Sequence, residues 1–434
     1  MKYYSTNGQA PIADLHKAVV KGLAEDRGLY MPEKIKKLPK AFFDDIEKMS
    51  FQEIAYTVAN AFFGEDVDPD ALHDIVYDTL AFDCPVVEVK DNIYTLELFH
   101  GPTLAFKDVG ARFMARLLQY FIRQENKGEQ VNVLVATSGD TGSAVANGFL
   151  GVDGIHVYVL YPKGKVSPIQ ECQFTTLGKN ITAIEVDGVF DDCQALVKNA
   201  FMDAELNQHM KLTSANSINV ARFLPQAFYY FNAYARMKAL GNAENLVMCV
   251  PSGNFGNICA ALFGHEMGLP VKRFIAANNA NDIFYKYLQT GKYEPKPSKQ
   301  TLANAMDVGD PSNFARIYDL YGKSHERISS LISGATYSDE QIRQTIRQCY
   351  EDTKYILDPH GACGYQALAE GLKPGEVGVF CETAHPAKFK EKVDDILGID
   401  VEIPERLAAF MRGTKQSVPM TKDFADFKRF LLSE

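Results

Sequence analysis

A single lysine, Lys107, is the residue of this chain best placed to do covalent chemistry. It lies in an apolar, turn-bounded segment, Glu-Leu-Phe-His-Gly-Pro-Thr-Leu-Ala-Phe-Lys-Asp-Val-Gly-Ala, at positions 97–111. Burial disfavours the ammonium form of a lysine, and an uncharged ε-amine is the nucleophile that Schiff-base chemistry with an aldehyde cofactor requires. The same segment is also typical of a lysine at a helix start whose stem is covered and whose charge stays in water. Other motifs must therefore decide between the two interpretations.

Two glycine-rich loops follow predicted buried strands. The first, Thr-Ser-Gly-Asp-Thr-Gly at positions 137–142, leads into an alanine-rich helix, and the second, Pro-Ser-Gly-Asn-Phe-Gly at 251–256, repeats the pattern. Free N–H groups at a helix start, nearby hydroxyls and small residues suit such loops to anions, although each loop alone can be an ordinary N-cap turn. Two such loops at the carboxyl ends of strands, together with Lys107, predict a phosphorylated cofactor and a carboxylate-bearing substrate.

Two further segments carry polar groups. Asn-Ser-Ile-Asn-Val-Ala-Arg at positions 216–222 combines two amides, a hydroxyl and a guanidinium, which together could bind a phosphate. A capping asparagine followed by a surface arginine explains that segment equally well. Thr-Ala-His-Pro-Ala-Lys-Phe at 383–389 follows another predicted strand, so its threonine and histidine lie at a carboxyl end. His385 by itself is more typical of an ordinary loop histidine than of a base.

Alternating strands and helices must position these motifs, and they predict an α/β fold. Residues 1–82 show helical patterns separated by turns, whereas from Val86 onward short β-branched runs alternate with amphipathic helices. That alternation predicts parallel sheets with helical crossovers. The predicted strands are 131–135, 156–161, 181–186, 246–250, 274–277 and 378–381. The strands pause between 191 and 241, which predicts two lobes, while 292–300 is predicted to be a loop and 314–355 to be largely helical.

The composition narrows the class of protein. The chain has 434 residues, 46% hydrophobic and 23% charged, which is enough for a large core and two or three domains. Its net charge of −10 is spread along the sequence, which argues against nucleic acid or an anionic membrane as partner. Eight scattered cysteines predict reduced thiols, and no zinc-binding spacing is present, so we expect no metal. A cytoplasmic enzyme fits these features best.

The motifs match a known family in their order and spacing. Residues 97–110, 136–142, 216–219, 251–256 and 383–389 together resemble threonine synthases of the longer branch. The resemblance extends to Gly-Leu-Ala-Glu-Asp-Arg-Gly-Leu-Tyr-Met-Pro at 22–32 and to Leu-Asp-Pro-His-Gly-Ala at 357–362, so it covers nearly the whole chain. The lysine motif by itself is shared by many fold-type-II pyridoxal-phosphate enzymes. The match therefore supports the fold and the cofactor more strongly than it supports the substrate.

The resemblance implies a tryptophan synthase β-like α/β fold with two open, parallel-type sheet lobes and a small α-rich N-terminal cap. We expect the cap domain at 1–82 and a catalytic domain at 83–434. The smaller lobe is expected at roughly 113–240, and the larger one at roughly 83–112 together with 241–434. The implied cofactor is pyridoxal 5'-phosphate.

The family's site residues carry over to the matching positions of this chain. Lys107 is implied as the catalytic lysine that holds the cofactor covalently. The other implied cofactor-binding residues are Ser252, Gly253, Asn254, Phe255, Gly256, Asn257 and Thr383, the last beside the pyridine nitrogen. The implied substrate-binding residues are Ser138, Gly139, Asp140 and Thr141 for a carboxylate, and Asn216, Ser217 and Arg222 for a phosphate. Lys163 and Lys165 are expected to add positive charge nearby.

Two positions depart from the pattern of many fold-type-II relatives. Asp140 stands where many of them carry an asparagine that donates to the cofactor ring, and an ionised acid cannot donate, so its contact stays open. Glu382 precedes Thr383 where smaller residues are common, and a glutamate facing the pyridine nitrogen would raise its protonation. Its direction is not readable from the sequence.

The resemblance implies conversion of O-phospho-L-homoserine and water into L-threonine and phosphate, with Lys107 moving protons. A lysine in that role needs a pKa of about 7 to 8. Two alternatives remain: a serine or threonine dehydratase, which needs no second phosphate site, and a non-catalytic homologue that retains the fold. The expected partners are the small-molecule substrate and water, and we expect a monomer or a homodimer.

Overall fold

A computed structural model describes residues 1–125 and 127–434, and its strands form three sheets. The strands are β1 Tyr3–Ser5, β2 Tyr30–Pro32, β3 Val86–Lys90, β4 Ile93–Glu97, β5 Val131–Ala136, β6 Ile155–Pro162, β7 Ile181–Asp187, β8 Lys211–Ser214, β9 Leu246–Pro251, β10 Arg273–Asn278, β11 Ile332–Thr336, β12 Val377–Glu382 and β13 Val418–Thr421. One sheet has two strands, one has five and one has six.

The helices surround these sheets. They are α1 Leu15–Lys21, α2 Lys40–Asp45, α3 Phe51–Phe63, α4 Pro69–Thr79, α5 Lys107–Glu125, α6 Asp140–Phe149, α7 Pro168–Thr175, α8 Phe190–Met202, α9 Ala204–His209, α10 Val220–Phe223, α11 Ala227–Ala239, α12 Gly256–Glu266, α13 Ile283–Thr290, α14 Phe314–Leu320, α15 His325–Leu331, α16 Asp339–Thr353, α17 Pro359–Gly371, α18 Lys390–Leu397, α19 Glu405–Met411 and α20 Phe424–Leu432. Short 3₁₀ helices occur at Ile46–Lys48, Leu224–Gln226, Asn304–Met306 and Pro386–Phe389. Within the described residues, no helix combines the length and the apolar character that crossing a bilayer requires.

The two large sheets confirm the predicted α/β fold. The six-stranded sheet has the order β11-β10-β9-β12-β4-β3, and the only antiparallel pair among its described strands is β3 with β4. The five-stranded sheet has the order β13-β7-β6-β5-β8 and is parallel throughout its described strands. Helices on both faces bury a parallel sheet, which is why a central strand such as β9 is a continuous apolar run whose residues are all buried.

The N-terminal region combines the β1–β2 pair with α1 to α4. Helix α3 begins at a Ser50 cap, whose hydroxyl accepts from the Glu53 N–H, and buries its apolar face in the main core. This region also reaches the five-stranded lobe, because the Asn219 amide donates to Val19 O at 2.8 Å. The cap is therefore bound to the segment that was predicted to hold a phosphate.

Seven of the described strands, β1 to β4, β8, β11 and β13, are absent from the predicted set. β8 falls in the interval in which strands were expected to pause, and β11 interrupts the segment predicted to be helical; each is an edge strand of its sheet. β13 pairs with β7 at the opposite edge of the five-stranded sheet. Helix α20 follows β13 and buries its Phe427 in the cluster that covers this sheet. The C-terminal segment thus returns to the smaller lobe, although it was expected with the larger one.

Candidate active site

Every predicted site loop begins at the carboxyl end of a parallel strand. The loop before Lys107 follows β4, the Ser138 loop follows β5, the Gly253 loop follows β9, and Thr383 follows β12. This edge is where open α/β sheets bind their ligands. The fold accordingly brings together motifs that are far apart in the sequence.

Lys107 is the first residue of α5, and its Nζ donates to Thr141 Oγ1 at 2.9 Å. The pKa of Lys107 is lowered to about 8, chiefly by burial; the nearby charge of Asp140 opposes this shift, whereas the charges of Arg222 and Lys388 add to it. The lysine amine is therefore available in its neutral form near neutral pH, as the predicted chemistry requires.

The turn before Lys107 is fixed by hydrogen bonds. The buried Asp108 carboxylate accepts from Thr103 N at 2.9 Å and from Thr103 Oγ1 at 2.5 Å. Gly101 is required in this turn, since a Cβ there would lie 2.6 Å from the Asp108 Oδ2. The Tyr229 hydroxyl donates to Phe106 O from α11. These contacts hold the backbone that carries the lysine.

The loop between β5 and α6 presents free N–H groups. Thr137 Oγ1 accepts from Gly139 N at 2.9 Å and from Gly142 N at 2.8 Å, so this hydroxyl shapes the loop. Gly139 has φ +152°, and a Cβ there would lie 2.7 Å from the Gln170 side chain. The described part of the chain offers no acceptor to the N–H groups of Ser138, Asp140 and Thr141. Such donors at the start of a ten-residue helix suit a carboxylate.

Asp140 forms an ion pair with Lys388 that was not predicted from the sequence. Its Oδ1 lies 2.5 Å from Lys388 Nζ and accepts from Gln170 Nε2 at 3.2 Å. Burial raises the pKa of Asp140, but the charges of Lys388 and Lys107 outweigh it and lower the pKa to about 2. The carboxylate is thus ionised and can act only as an acceptor. Lys388 stands in the motif at 383–389, but nothing local in that motif indicates the ion pair.

The loop after β9 has the geometry of a phosphate cradle. Among residues 1–125 and 127–434, none accepts a hydrogen bond from the N–H groups of residues 253–257, which lead into the eleven-residue helix α12 and include its first two residues. A Cβ at Gly253 would lie 2.8 Å from Ala305 O, so only glycine fits there. Consecutive unpaired N–H groups at a helix N-terminus bind phosphate, so the loop fits a phosphorylated cofactor.

Side chains brace this cradle. Phe255 adopts a left-handed backbone with φ +68°, which is costly for a side chain of its size, and its ring packs on Phe284 at 4.7 Å. The Asn257 amide donates to Pro251 O at 2.8 Å, and the Ser252 hydroxyl donates to Val250 O at 3.1 Å. The predicted residues Ser252 and Asn257 therefore shape the loop through their side chains.

The segment at 216–222 lies beside the cradle. Asn254 Nδ2 donates to Ser217 Oγ at 2.7 Å, and Asn216 Oδ1 accepts from Ile218 N at 3.2 Å. Asn219 caps α10 by accepting from Ala221 N. The predicted cofactor and substrate phosphate sites are consequently neighbours.

Arg222 is nearly fully buried, with 1% of its surface exposed. Its Nη1 donates to Ala215 O, whereas its Nε has no partner within the described chain. Burial lowers the pKa of Arg222 to about 10, opposed by Tyr229. A buried guanidinium with a free donor is costly unless a ligand completes it. Arg222 is also near enough to Lys107 to affect the lysine pKa.

Thr383 and Glu382 face different neighbours. Thr383 O accepts from Phe106 N at 2.8 Å, which ties it to the lysine turn. Glu382 is fully buried and points to the start of α17, where its Oε2 accepts from Asp358 N at 3.0 Å. Burial, followed by the charge of Asp358, raises the pKa of Glu382 well above its ordinary value. Burial thus favours the protonated, uncharged form of Glu382.

Three residues considered in the sequence analysis, His385, Lys163 and Lys165, gain no catalytic role from the described structure. His385 Nδ1 accepts from Ala387 N at 3.0 Å, and burial, followed by the charges of His100 and Arg406, lowers its pKa to about 4. His385 is therefore a neutral capping residue. Lys163 and Lys165 are exposed on the loop after β6.

Comparison with known proteins adds family matches along the chain. The model described as pyridoxal-phosphate dependent enzyme matches residues 77–382. Models for the threonine synthase N terminus and the threonine synthase C-terminal region match residues 2–80 and 361–431. The two terminal matches are specific to one enzyme, whereas the central match is shared by a larger class.

Full-length relatives agree with these matches. Threonine synthase from Haemophilus influenzae is 43% identical over 432 residues, covering 100% of both chains. The crystal structure of Escherichia coli threonine synthase superimposes with a TM-score of 0.92 at 42% identity, covering 100% of both chains. The structure of PLP-bound threonine synthase from Brucella melitensis gives 0.94 at 34% identity, covering 100% of this chain and 99% of that one.

Proposed function

The chain belongs to the threonine synthase family of pyridoxal-phosphate-dependent enzymes, and on that premise we propose that it converts O-phospho-L-homoserine and water into L-threonine and phosphate. One observation carries the choice of an anionic substrate. The basic side chains of Lys107, Lys388 and Arg222 are near neighbours in the buried site, and Asp140 is paired with only one of them, Lys388. This positive balance suits a ligand with several negative charges.

Pyridoxal phosphate is the cofactor of this family, and when bound it withdraws electrons from the substrate's carbon skeleton. Lys107 would hold it covalently, while the N–H groups of residues 253–257 would bind its phosphate. Thr383 would lie beside the pyridine nitrogen. The unpaired donors of the cradle and the lysine with a lowered pKa support this assignment.

The substrate would lie between the two lobes. The N–H groups of Ser138, Asp140 and Thr141 would bind its carboxylate, with Gly139 giving the loop its shape. Asn216, Ser217 and Arg222 would bind its phosphate, because Arg222 keeps a free Nε donor and Ser217 adjoins the cofactor cradle. A dehydratase has no use for this second phosphate site, so the segment at 216–222 favours the proposed substrate.

Lys107 would move the protons of the reaction. Once the substrate's amino group has displaced Lys107 from the cofactor, the freed Nζ would remove the proton at Cα and then transfer protons at Cβ and Cγ, because an amine with a pKa of about 8 both takes and releases protons near neutral pH. The hydrogen bond from Nζ to Thr141 Oγ1 orients the amine next to the proposed carboxylate site. Departure of phosphate from Cγ and addition of water at Cβ complete the conversion.

We propose the domain limits 1–82 and 83–434, with residues 418–432 completing the smaller lobe through β13 and α20. The first limit is supported by the family matches, because the N-terminal match ends at residue 80 and the central match begins at residue 77. A cytoplasmic location is supported by eight cysteines that are all free.

The decisive test incubates the purified protein and pyridoxal phosphate with O-phospho-L-homoserine and follows phosphate and threonine. Equal amounts of the two products are expected. Lys107→Ala should abolish both products and the visible absorbance of the lysine-bound cofactor. The matched control is Lys238→Ala, since Lys238 binds the backbone of α2 through Phe43 O at 2.8 Å. Turnover by Lys107→Ala, or ammonia and a keto acid in place of threonine, would overturn the proposal.

Arg222→Ala separates the two phosphate sites. It should raise KM for O-phospho-L-homoserine by roughly 10-fold or more, since a charged hydrogen bond contributes about 1.5–3 kcal/mol. The absorbance of the bound cofactor should stay unchanged. Loss of that absorbance would instead assign the arginine to the cofactor.

A further inference from the structure

Lys388 is a lysine with no exposed side-chain surface. It lies on the Pro386–Phe389 turn after β12, in the six-stranded lobe. Its Nζ donates to Thr103 O at 2.9 Å and lies 2.5 Å from Asp140 Oδ1, at the start of α6 in the five-stranded lobe. A buried charge is retained only where its partners compensate for lost hydration. The pair thus joins the lysine turn, the carboxylate loop and both lobes.

Asp140 has a second cation within range of its charge. It precedes Thr141, whose hydroxyl accepts from Lys107 Nζ, and the charge of Asp140 raises the pKa of Lys107. A buried carboxylate and a buried ammonium attract strongly, because the surroundings screen them poorly. Paired with Asp140, Lys107 would stay protonated and would lose its use as a base or nucleophile.

The other charged groups around this pair do not compete for Asp140. Arg222 donates to Ala215 O, and its charge acts against that of Lys107. The charge of Lys388 also acts on Asp108, but the Asp108 carboxylate accepts hydrogen bonds from both the N–H and the hydroxyl of Thr103. Gln170 is neutral and donates to Asp140 at 3.2 Å.

We propose that Lys388 is a positioning residue that occupies the Asp140 carboxylate and so prevents it from pairing with Lys107, which leaves Lys107 free to give up its proton. The role of Lys107 rests on the proposed function. The electrostatic arrangement of the three groups does not, and it can be measured without turnover.

The two single substitutions should shift the pKa of Lys107 in opposite directions, and the double substitution should cancel the two shifts. In Lys388→Met, Asp140 loses its partner and pairs with Lys107, which raises the pKa of Lys107 by about 1 pH unit or more. In Asp140→Asn, Lys388 remains as an uncompensated cation near Lys107 and lowers that pKa by a similar amount. The double variant removes both charges and should return the pKa close to that of the wild type. Lys388→Arg keeps the charge and should shift it least among the single variants.

The measurement uses the cofactor-free, full-length chain. Acetic anhydride is applied in short pulses over a series of pH values, and acetylation of Lys107 is followed by mass spectrometry of its peptide. The wild-type midpoint is expected near 8. Lys238→Met is the matched control, because Lys238 pairs with Glu47 at 2.8 Å and does not affect the pKa of Lys107. The pH dependence of cofactor absorbance in the holoenzyme provides an independent measure of the direction of each pKa shift.

A Lys107 midpoint that is unchanged or lowered in Lys388→Met would overturn the inference. A midpoint that is unchanged or raised in Asp140→Asn would do the same. Lys388→Met leaves a buried carboxylate unpaired and can fail to fold. In that case Asp140→Asn and the double variant decide, since the inference requires a lowered midpoint in the first and its recovery in the second. Loss of threonine formation with the expected midpoints would count against the proposed function alone.

Discussion

Replacing Gly253 by alanine tests the phosphate cradle. The added Cβ would lie 2.8 Å from both Ala305 O and Met306 Cα, closer than real contacts allow. That neighbouring backbone cannot easily yield, because Ala305 N donates to His360 Nε2 at 3.1 Å and His360 Nδ1 lies 2.6 Å from Asp358. The loop must therefore shift and misplace its N–H groups.

The size of the effect follows from the strain. Overpacking of this kind costs about 1–3 kcal/mol. If that strain appears when the loop closes on phosphate, pyridoxal phosphate should bind about 5- to 150-fold more weakly, at about 1.4 kcal/mol per tenfold. Equilibrium titration of the cofactor-free chain with pyridoxal phosphate measures the Kd, and urea unfolding verifies that the fold is retained.

Gly371→Ala is the matched control. Gly371 ends α17, and its Cβ would meet only Ile275 Cδ1, at an ordinary 3.4 Å. This variant should bind the cofactor with wild-type affinity. Wild-type affinity in Gly253→Ala would refute the cradle, and so would a loss confined to the free energy of unfolding.

Three further predictions concern stability and are measured by denaturant unfolding. Phe113→Ala should lower the free energy of unfolding by about 3–5 kcal/mol, because the ring is fully buried. The control Met202→Ala changes a residue that is 67% exposed and should alter the free energy of unfolding little. Equal effects of the two variants would contradict the described core. Glu376→Gln should destabilise by about 2 kcal/mol at pH 7, since Glu376 accepts from Arg273 at 2.7 Å. Hydrogen bonds from Arg273 lower the pKa of Glu376, so this deficit should shrink as the pH falls below the ordinary 4.5; a pH-independent deficit would refute the assignment. Burial raises the pKa of Glu382, so the wild type should lose stability relative to Glu382→Gln as the pH rises above 4.5, and the opposite trend would show that Glu382 is ionised.

Three of the strands that carry the site, β5, β9 and β12, could be predicted because their signals are local. β5 and β9 are apolar runs that end in glycine-bearing turns, and both begin within one residue of the predicted position. β8 and β11 were missed because they are short edge strands with mixed composition, such as Ile-Ser-Gly-Ala-Thr. Their strand state depends on pairing with a neighbour more than on their own residues.

The site residues likewise divide into those that could be predicted from the sequence and those that could not. Lys107 and the Gly253 loop have sequence signatures because their chemistry dictates the neighbouring residues. The Lys388–Asp140 pair has none, since it joins two loops that are distant in sequence and meet only when the lobes pack. The direction of the Glu382 side chain likewise depends on the start of α17, because its carboxyl group accepts from the N–H of Asp358, the residue that caps this helix.

The return of β13 to β7 has a consequence for how the protein is synthesised. β7 lies at the sheet edge until β13 arrives, and residues such as Tyr158 and Leu160 stay without the cover of Phe427 and Leu431 in α20. During translation the ribosome makes the rest of this lobe long before it makes that cover. An unpaired edge and an exposed apolar face are recognised by chaperones and favour aggregation. The nascent chain therefore carries a vulnerable surface until translation has passed α20.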